Sequence, residues 1–201
     1  MSLALEPFGD AAWRVRLPES ASGRAVLESL RRLPGVIDAV VCERHALVTF
    51  DPASPPAGIA AAIERSIADG ARATPPREHC IRVRYDGPDL DDVARAAGLS
   101  VAEVVARHAA GRYAVASVGF LPGFAYLRGL DPRLVVPRRA SPRPRVPPRS
   151  VGIAGPYTGI YPFASPGGWS LVGTAVGFTP FDSRSGAVLA LGDEVRFEVA
   201  P

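Results

Sequence analysis

The chain contains no lysine: all 23 basic residues among its 201 are arginine. This absence excludes a Schiff-base lysine and the lysine of a Walker-type phosphate loop. Histidine is scarce, and His45, His79 and His108 show no HExxH or similar metal-binding spacing. No serine lies in a G-x-S-x-G elbow, and no GxGxxG follows a strand. Zinc-hydrolase, serine-hydrolase and dinucleotide-binding chemistry are therefore disfavoured, and no metal site is predicted.

Cysteine and long apolar runs are also rare. Cys42 and Cys80 are far apart and match no metal-binding or CxxC spacing, so we predict two buried free thiols. No apolar run approaches the roughly 18 residues that span a bilayer. The opening MSLALEPFGD has no basic start, so no signal peptide is predicted. Together these features predict a cytoplasmic protein that does not bind membranes.

The first third of the chain has the pattern of a ferredoxin-like domain. Hydrophobic residues make up 47% of the chain, enough to bury a sizeable core. Apolar periodicity predicts strand, helix, strand, strand and helix over residues 11–17, 21–33, 36–41, 46–50 and 57–68. A closing strand before or at 80–85 would complete the order βαββαβ. The polar, proline-containing stretch 73–78 predicts a boundary between domains 1–77 and 78–201.

The remainder predicts a β-barrel with a helical insertion. After a strand at 80–85, one helix over 89–97 ends at Gly98, and a second begins at Ser100 with Glu103 completing a capping box. From Tyr113 to a closing strand at 194–199, strands alternate with glycine and proline turns. The fold class is therefore α+β.

An arginine-rich segment precedes the last third of the chain. Residues 128–149 hold seven arginines against one acid, Asp131, and prolines keep the segment extended. It is suited to bind a phosphate, a carboxylate or nucleic acid, but no nucleic-acid motif accompanies it, so a nucleic-acid partner is not predicted. The alternative is a solvated arm or a partner-docking surface.

Residues 150–173 combine six glycines with four aromatic side chains. Gly167 and Gly168 beside Trp169 allow backbone to approach a large flat side chain closely, as in a pocket wall. This pattern predicts a pocket for a small planar ligand with a negative charge. The alternative is a barrel corner in which glycines relieve crowding.

Several long motifs resemble one family. They are residues 119–127 (GFLPGFAYL), 137–138, 141–143, 150–155, 158–162 (TGIYP), 165–169 (SPGGW) and 191–197 (LGDEVRF). These motifs are similar to those of the B subunit of bacterial 5-oxoprolinase, whose family is also called the Kip inhibitor family or allophanate hydrolase subunit 1. The resemblance is dense over about 80–197 and looser before it.

The resemblance implies a ferredoxin-like domain followed by a cyclophilin-like β-barrel. It also implies a complex with a larger homologous C subunit and with a third protein, the A subunit. Together they open 5-oxoproline with ATP and Mg²⁺, and little activity is implied for this chain alone. His108 matches a histidine that the family carries before its Tyr-x-Val strand, and is the expected catalytic residue. The expected ligand-binding residues are Tyr126, Arg138, Arg143, Thr158, Tyr161, Ser165 and Trp169.

The chain also departs from the family pattern. Pro156-Tyr157 stand where the family has glycine or an acid and then glutamine, and Arg149 stands where the family favours glycine. After Trp169 the family reads Gly-Arg-Thr, whereas here Gly173 is followed by Thr174-Ala175. These departures are consistent with an altered ligand or with a retained binding role without activity. Two other functions stay open: inhibition of a sensor histidine kinase, and a carboxyltransferase-like part of a urea or allophanate system.

Overall fold

The computed structural model describes residues 3–68 and 75–201. The chain divides into two compact units, Met1–Pro75 and Pro76–Pro201. Residues 73 and 74 of the stretch predicted as a domain boundary lie outside the described residues. Helices and a closed barrel together confirm the α+β class. None of the helices in the described ranges is long and apolar enough to cross a membrane.

The first unit combines a four-stranded antiparallel sheet with two helices. Its elements are β1 (Leu5–Pro7), β2 (Ala12–Arg16), α1 (Gly23–Arg31), β3 (Val36–Cys42), β4 (His45–Phe50) and α2 (Ile59–Ala68). The strand order is β1-β2-β4-β3, α1 packs against β3 and β4, and α2 packs against α1. Helix α1 begins where the Ser22 side chain accepts a hydrogen bond from the Ala25 N–H. Val15, Val26, Leu30 and Val48 lie in its core.

The closing strand predicted for this sheet belongs to the other unit. The strand predicted at 80–85 is β5 (Glu78–Arg84), and it pairs with strands of the second unit. The position beside β2 is held by β1, which precedes β2 in sequence and runs antiparallel to it. A three-residue strand containing Pro7 is too short for a periodic pattern, which is why the sequence did not reveal it.

The second unit is a β-barrel with two helices, two short strand pairs outside the barrel and one 3₁₀ turn. Its remaining elements are α3 (Leu90–Ala97), α4 (Val101–Ala110), β6 (Arg112–Val118), β7 (Ala125–Arg128), a 3₁₀ turn (Pro132–Leu134), β8 (Arg143–Val146), β9 (Ser150–Ala154), β10 (Tyr157–Ile160), β11 (Ser165–Gly167), β12 (Ser170–Val176), β13 (Phe181–Asp182), β14 (Gly186–Ala187) and β15 (Glu194–Val199).

Seven strands close the barrel in the order β10-β7-β6-β15-β5-β12-β9, with β9 pairing back to β10. Every pair is antiparallel except β5 with β15, the first and last strands of the unit. Outside the barrel, β8 pairs with β11 and β13 with β14. Strands β8 and β11 carry part of the arginine-rich segment and part of the glycine-rich segment, so these two segments lie together.

The helix signals read from the sequence are confirmed. Gly98 ends α3 in the left-handed conformation (φ 62°), and Ser100 and Glu103 form the expected capping box of α4. Apolar side chains of α3 and α4, such as Leu90, Val93 and Val104, join the barrel strands in one core.

The expectation of buried thiols is wrong, because Cys42 and Cys80 are both exposed. On β5, Cys80 alternates with the buried Ile81 and Val83 and therefore lies on the solvent face. Cys42 ends β3 on the face opposite the buried Val41. Both thiols are free.

Candidate functional site

A cavity of about 220 Å³ lies in the barrel unit, among the loops that join its strands. The wall residues come from the β6–β7 loop, from β7, from the segment before β8, from the residue after β10, and from β11 and the two residues that follow it. They are Phe120, Phe124, Tyr126, Arg138, Pro142, Tyr161, Pro166, Gly167, Gly168 and Trp169. We call this space the aromatic cavity. The arginine-rich and glycine-rich segments, which follow each other in the sequence, both contribute to it.

Phe124 is the centre of the aromatic packing. Its ring meets Tyr126, Tyr161 and Trp169 edge-on, with centroid distances of 5.0, 5.3 and 5.2 Å. Phe124, Tyr161 and Trp169 are buried in a small second core beside the main one. Edge-to-face pairs of this kind fix ring orientation as well as burying apolar surface. The walls of the cavity are therefore rigid.

Glycines make this close packing possible. A Cβ on Gly159 would lie 2.8 Å from the Ala125 carbonyl oxygen and 3.2 Å from the Trp169 ring, and one on Gly167 would lie 2.5 Å from the Tyr161 hydroxyl. No side chain larger than hydrogen fits at either position without movement of its neighbours. The predicted pairing of glycine with aromatic walls is therefore what the structure shows around Trp169.

Two polar groups are oriented toward the aromatic cavity. Arg138 is exposed at its rim. Burial raises the pKa of the Tyr161 hydroxyl, and a hydrogen bond with the Trp169 backbone and the charges of Arg138 and Arg143 only partly oppose this. The hydroxyl is therefore protonated at neutral pH and can donate a hydrogen bond.

A buried carboxylate fixes the arginine-rich segment beside the cavity. Asp89 Oδ1 accepts hydrogen bonds from Arg139 Nη1 (2.7 Å) and Arg143 Nη2 (2.6 Å), and Oδ2 accepts one from the Leu171 N–H (2.7 Å). Burial acts to raise the pKa of Asp89, but the hydrogen bonds from Arg143 and Leu171 and the arginine charges outweigh it, so the pKa is lowered. Asp89 is therefore an anion that neutralises part of the arginine excess.

His108 and Thr158 lie together, but not in the aromatic cavity. His108 is 1% exposed in the last turn of α4, and its Nδ1 lies 2.8 Å from the Tyr85 hydroxyl. Its Nε2 lies 2.9 Å from Thr158 Oγ1, and its ring stacks on Phe197 at 4.8 Å. Burial lowers the pKa of His108 to about 3, so the imidazole is neutral. Both ring nitrogens have partners in the core, and an acid–base role for His108 stays a prediction.

The structure thus divides the residues expected at the site among four places. Tyr126, Arg138, Tyr161 and Trp169 line the aromatic cavity, whereas His108 and Thr158 lie in the core behind the barrel wall. Arg143 is bound to Asp89, next to that cavity. Ser165 is buried in β11, and its Oγ has no hydrogen-bond partner among the described residues.

Sequence reasoning assigned no role to Asp89, Phe120 or Phe124. Asp89 stands at the start of a helix, where an aspartate is typically an N-cap, so its position gave no sign of a role at the site. In the structure its side chain makes no cap hydrogen bond. The available signal was the arginine-rich segment itself. Seven arginines against one acid require a carboxylate from elsewhere if any guanidinium group is buried.

The aromatic cavity does not fit ATP, and no grouped metal ligands for Mg²⁺ are found among the described residues. The aromatic cavity is smaller than the roughly 300–1,000 Å³ of sites for drug-sized ligands, so a nucleotide exceeds it. Within 3–68 and 75–201, no three His, Cys, Asp or Glu side chains are grouped as metal ligands.

Several known proteins are similar to this chain. The B subunit of 5-oxoprolinase from Bacillus subtilis (strain 168) is 46% identical over 112 residues, which are 55% of this chain and 47% of that protein. The B subunit of 5-oxoprolinase from Escherichia coli O157:H7 is 50% identical over 113 residues, 55% of this chain and 51% of that protein. The chain spans about half the length of the curated relatives it matches.

The crystal structure of TTHA0988 has a similar fold. It superposes with a TM-score of 0.79 at 38% identity, over 94% of this chain and 40% of that one. The family model described as "Carboxyltransferase domain, subdomain C and D" matches residues 3–188. The motif resemblance to the B subunit of 5-oxoprolinase is thereby confirmed, and the chain belongs to the carboxyltransferase-domain family, subdomains C and D.

Proposed function

We propose that this chain provides the ligand-binding barrel in the B subunit of a 5-oxoprolinase, an enzyme that opens 5-oxoproline to glutamate and also contains C and A subunits. The main observation that supports this proposal is the aromatic cavity with Arg138 at its rim. A small cavity with flat walls suits a five-membered lactam ring, and a guanidinium at the rim suits its carboxylate. The names of the relatives support the same substrate.

In this proposal each cavity residue has a distinct task. Tyr126 and Trp169, whose rings meet edge-on with centroids 5.7 Å apart, form one aromatic surface on which the ligand ring packs, and Arg138 binds the carboxylate. The protonated Tyr161 hydroxyl donates a hydrogen bond to the lactam oxygen, where negative charge develops when the amide is attacked. Aromatic walls exclude water from the ring except at the point of attack.

The other expected residues support the cavity from behind. Arg143 and Ser165 lie on the paired strands β8 and β11, which carry the cavity wall. Thr158 bonds to the Gly152 carbonyl at 3.0 Å as well as to His108, and so joins β10, β9 and α4. We assign His108 and Thr158 to maintaining the barrel wall. In this proposal the acid–base role expected for His108 from the resemblance is not used, because both of its ring nitrogens have partners in the core.

ATP and Mg²⁺ belong to the complex in this proposal. ATP supplies the phosphoryl group that makes an unreactive lactam open to attack by water. Because the aromatic cavity does not fit a nucleotide, none of its residues is assigned to ATP. The chain alone is therefore expected to bind 5-oxoproline without turning it over.

The test is 5-oxoproline-dependent ATP hydrolysis, with glutamate measured as product, by this chain alone and by its complex with the C and A subunits. We expect turnover by the complex only. Replacing Arg138 by glutamine should raise KM for 5-oxoproline about tenfold or more, because a charged hydrogen bond to the carboxylate is lost.

Arg133 offers a matched control, since it is also exposed in the arginine-rich segment but lies outside the cavity wall. Arg133→Gln should leave KM unchanged. A stable complex without 5-oxoproline turnover would contradict the proposed function. Equal KM values for the two arginine variants would contradict the role of Arg138.

A further inference from the structure

The Asp89 cluster holds more positive than negative charge. Two guanidinium groups share one carboxylate oxygen, and the side chains of Arg139 and Arg143 are only 35% and 23% exposed. A partly buried guanidinium without a partner is costly, so the hydrogen bonds to Asp89 determine where both side chains lie. One positive charge remains uncompensated within the cluster.

This cluster fixes the wall that carries Arg138 and Pro142. The Arg139 N–H bonds to the Gly168 carbonyl at 2.8 Å, and Arg143 is the strand partner of Gly167. Asp89 adds the side-chain attachment, and through Leu171 it joins the same wall to β12. Backbone and side-chain hydrogen bonds therefore both hold residues 138–143 against the glycine-rich side of the aromatic cavity.

Arg143 also has a donor that Asp89 leaves free. Its Nη1 is buried and has no hydrogen-bond partner among the described residues. The charge of Arg143 influences the Tyr161 hydroxyl on the aromatic cavity. Arg143 also lines a second cavity of about 240 Å³ with Arg145 and Ser150. A buried donor without a hydrogen bond raises the free energy of the protein, and a bound ligand that accepts a hydrogen bond from it removes this cost.

We propose that Asp89 is the positioning residue for carboxylate recognition at this site. It holds Arg139 and Arg143, and through them residues 138–143, so that Arg138 at the rim of the aromatic cavity faces the carboxylate of a small cyclic acid. This inference rests on the proposed function and adds to it how the acid is told apart from an uncharged ring. Asp89 acts through the arginines and does not touch the substrate.

A positioning role and a purely electrostatic effect of Asp89 predict opposite changes in anion affinity when its charge is removed. Asp89 is an anion, so removing its charge would strengthen the binding of another anion if charge alone mattered. If Asp89 positions the arginines, removing it releases the segment that carries Arg138 and weakens anion binding. The direction of the change therefore separates the two effects.

The experiment compares the complexes containing wild type, Asp89→Asn and Asp193→Asn. Asp193 is a matched control, since it is also fully buried in the barrel unit, accepts hydrogen bonds from the Arg77 and Ala190 N–H groups, and lies outside the aromatic cavity wall. Two quantities are measured per folded molecule: KM for 5-oxoproline, and the inhibition constant of 2-pyrrolidinone, the same ring without the carboxylate.

We expect Asp89→Asn to raise KM for 5-oxoproline about tenfold and to change the inhibition constant of 2-pyrrolidinone by less than about twofold. Asp193→Asn should change neither. An unchanged or lower KM for Asp89→Asn would overturn the inference and leave the proposed function standing. Equal weakening of both ligands would also overturn it, because the defect would then be general. No turnover by the wild-type complex would instead overturn the proposed function and the inference with it.

Discussion

The Nε2 atom of His108 lies 2.9 Å from the Thr158 hydroxyl, and that hydroxyl lies 3.0 Å from the Gly152 carbonyl oxygen. A carbonyl only accepts, so Thr158 donates to it and its oxygen accepts from His108 Nε2–H. Nδ1 then accepts from the Tyr85 hydroxyl. One tautomer of a neutral imidazole therefore satisfies all three hydrogen bonds.

Stability should fall in acid because of His108. Its pKa is about 3 in the folded state and about 6.5 when unfolded. The contribution to the free energy of unfolding is therefore complete above pH 6.5 and falls as the pH drops toward 3, by about 1.4 kcal/mol per pH unit. Between pH 6.5 and 5 this amounts to about 2 kcal/mol.

Urea unfolding at pH 7 and pH 5 measures this effect, with Trp169 fluorescence as the probe in a Trp13→Phe background. His108→Gln cannot titrate, so it should be less stable at pH 7 but should lose about 2 kcal/mol less than wild type between the two pH values. Equal losses in the two proteins would show that His108 is not held neutral.

Replacing Arg149 by glycine should stabilise the barrel. Arg149 is exposed and has φ +66°, a conformation that side chains other than glycine adopt only with strain. Relief of this strain should raise the free energy of unfolding by about 0.5–1 kcal/mol, after the larger entropy of the unfolded glycine is included.

The control is Arg145→Gly, at an exposed arginine in the strand β8, where glycine removes strand preference and relieves no strain. It should lower stability. Thermal unfolding of both variants gives the comparison, and destabilisation by Arg149→Gly would contradict the argument from φ.

The two adjacent glycines of the cavity should respond differently to alanine. At Gly167 the new Cβ would lie 2.5 Å from the Tyr161 hydroxyl, whereas at Gly168 the nearest atoms lie 3.7 and 3.8 Å away. Gly167→Ala should therefore cost about 1–3 kcal/mol of stability or displace Tyr161 and weaken ligand binding, while Gly168→Ala should be tolerated. Unfolding curves and 5-oxoproline titration of both variants test this, and equal effects would refute it.

Both cysteines should react with a thiol reagent in the native protein. A hydrogen bond to Glu198 raises the pKa of the Cys80 thiol, helped by smaller contributions from burial and from the Glu198 charge. In a Cys42→Ser background, Glu198→Gln should therefore make Cys80 react faster at pH 7, because more thiolate is present. Reaction with 5,5′-dithiobis(2-nitrobenzoate) gives the rate; an unchanged rate would exclude the Glu198 contact.

The sequence predicted most of the regular elements, because their signals are local. The capping box at Ser100 and Glu103 and the left-handed Gly98 need only neighbouring residues to form. Aromatic residues interleaved with glycines likewise indicated a cavity around Trp169. These predictions depend on side-chain chemistry within a few residues of each other.

The errors all concern contacts between distant segments. Asp89 meets Arg139 and Arg143 across fifty or more residues, and His108 meets Thr158 across fifty. No local pattern shows that β1 takes the edge position expected for a later strand. The exposure of Cys80 depends on which face of β5 points inward, which only the closed barrel decides.

The parallel pairing of β5 with β15 has a consequence for biosynthesis. Strand β15 lies between β6 and β5, so the barrel stays open until residues 194–199 have left the ribosome, after all six other strands. Until then β5 and β6 each present an unpaired edge, and the contacts that close the barrel are the most distant ones in the unit. The second unit therefore closes its barrel only after its last strand is made, and until then its open edges are exposed to pairing with strands of other chains.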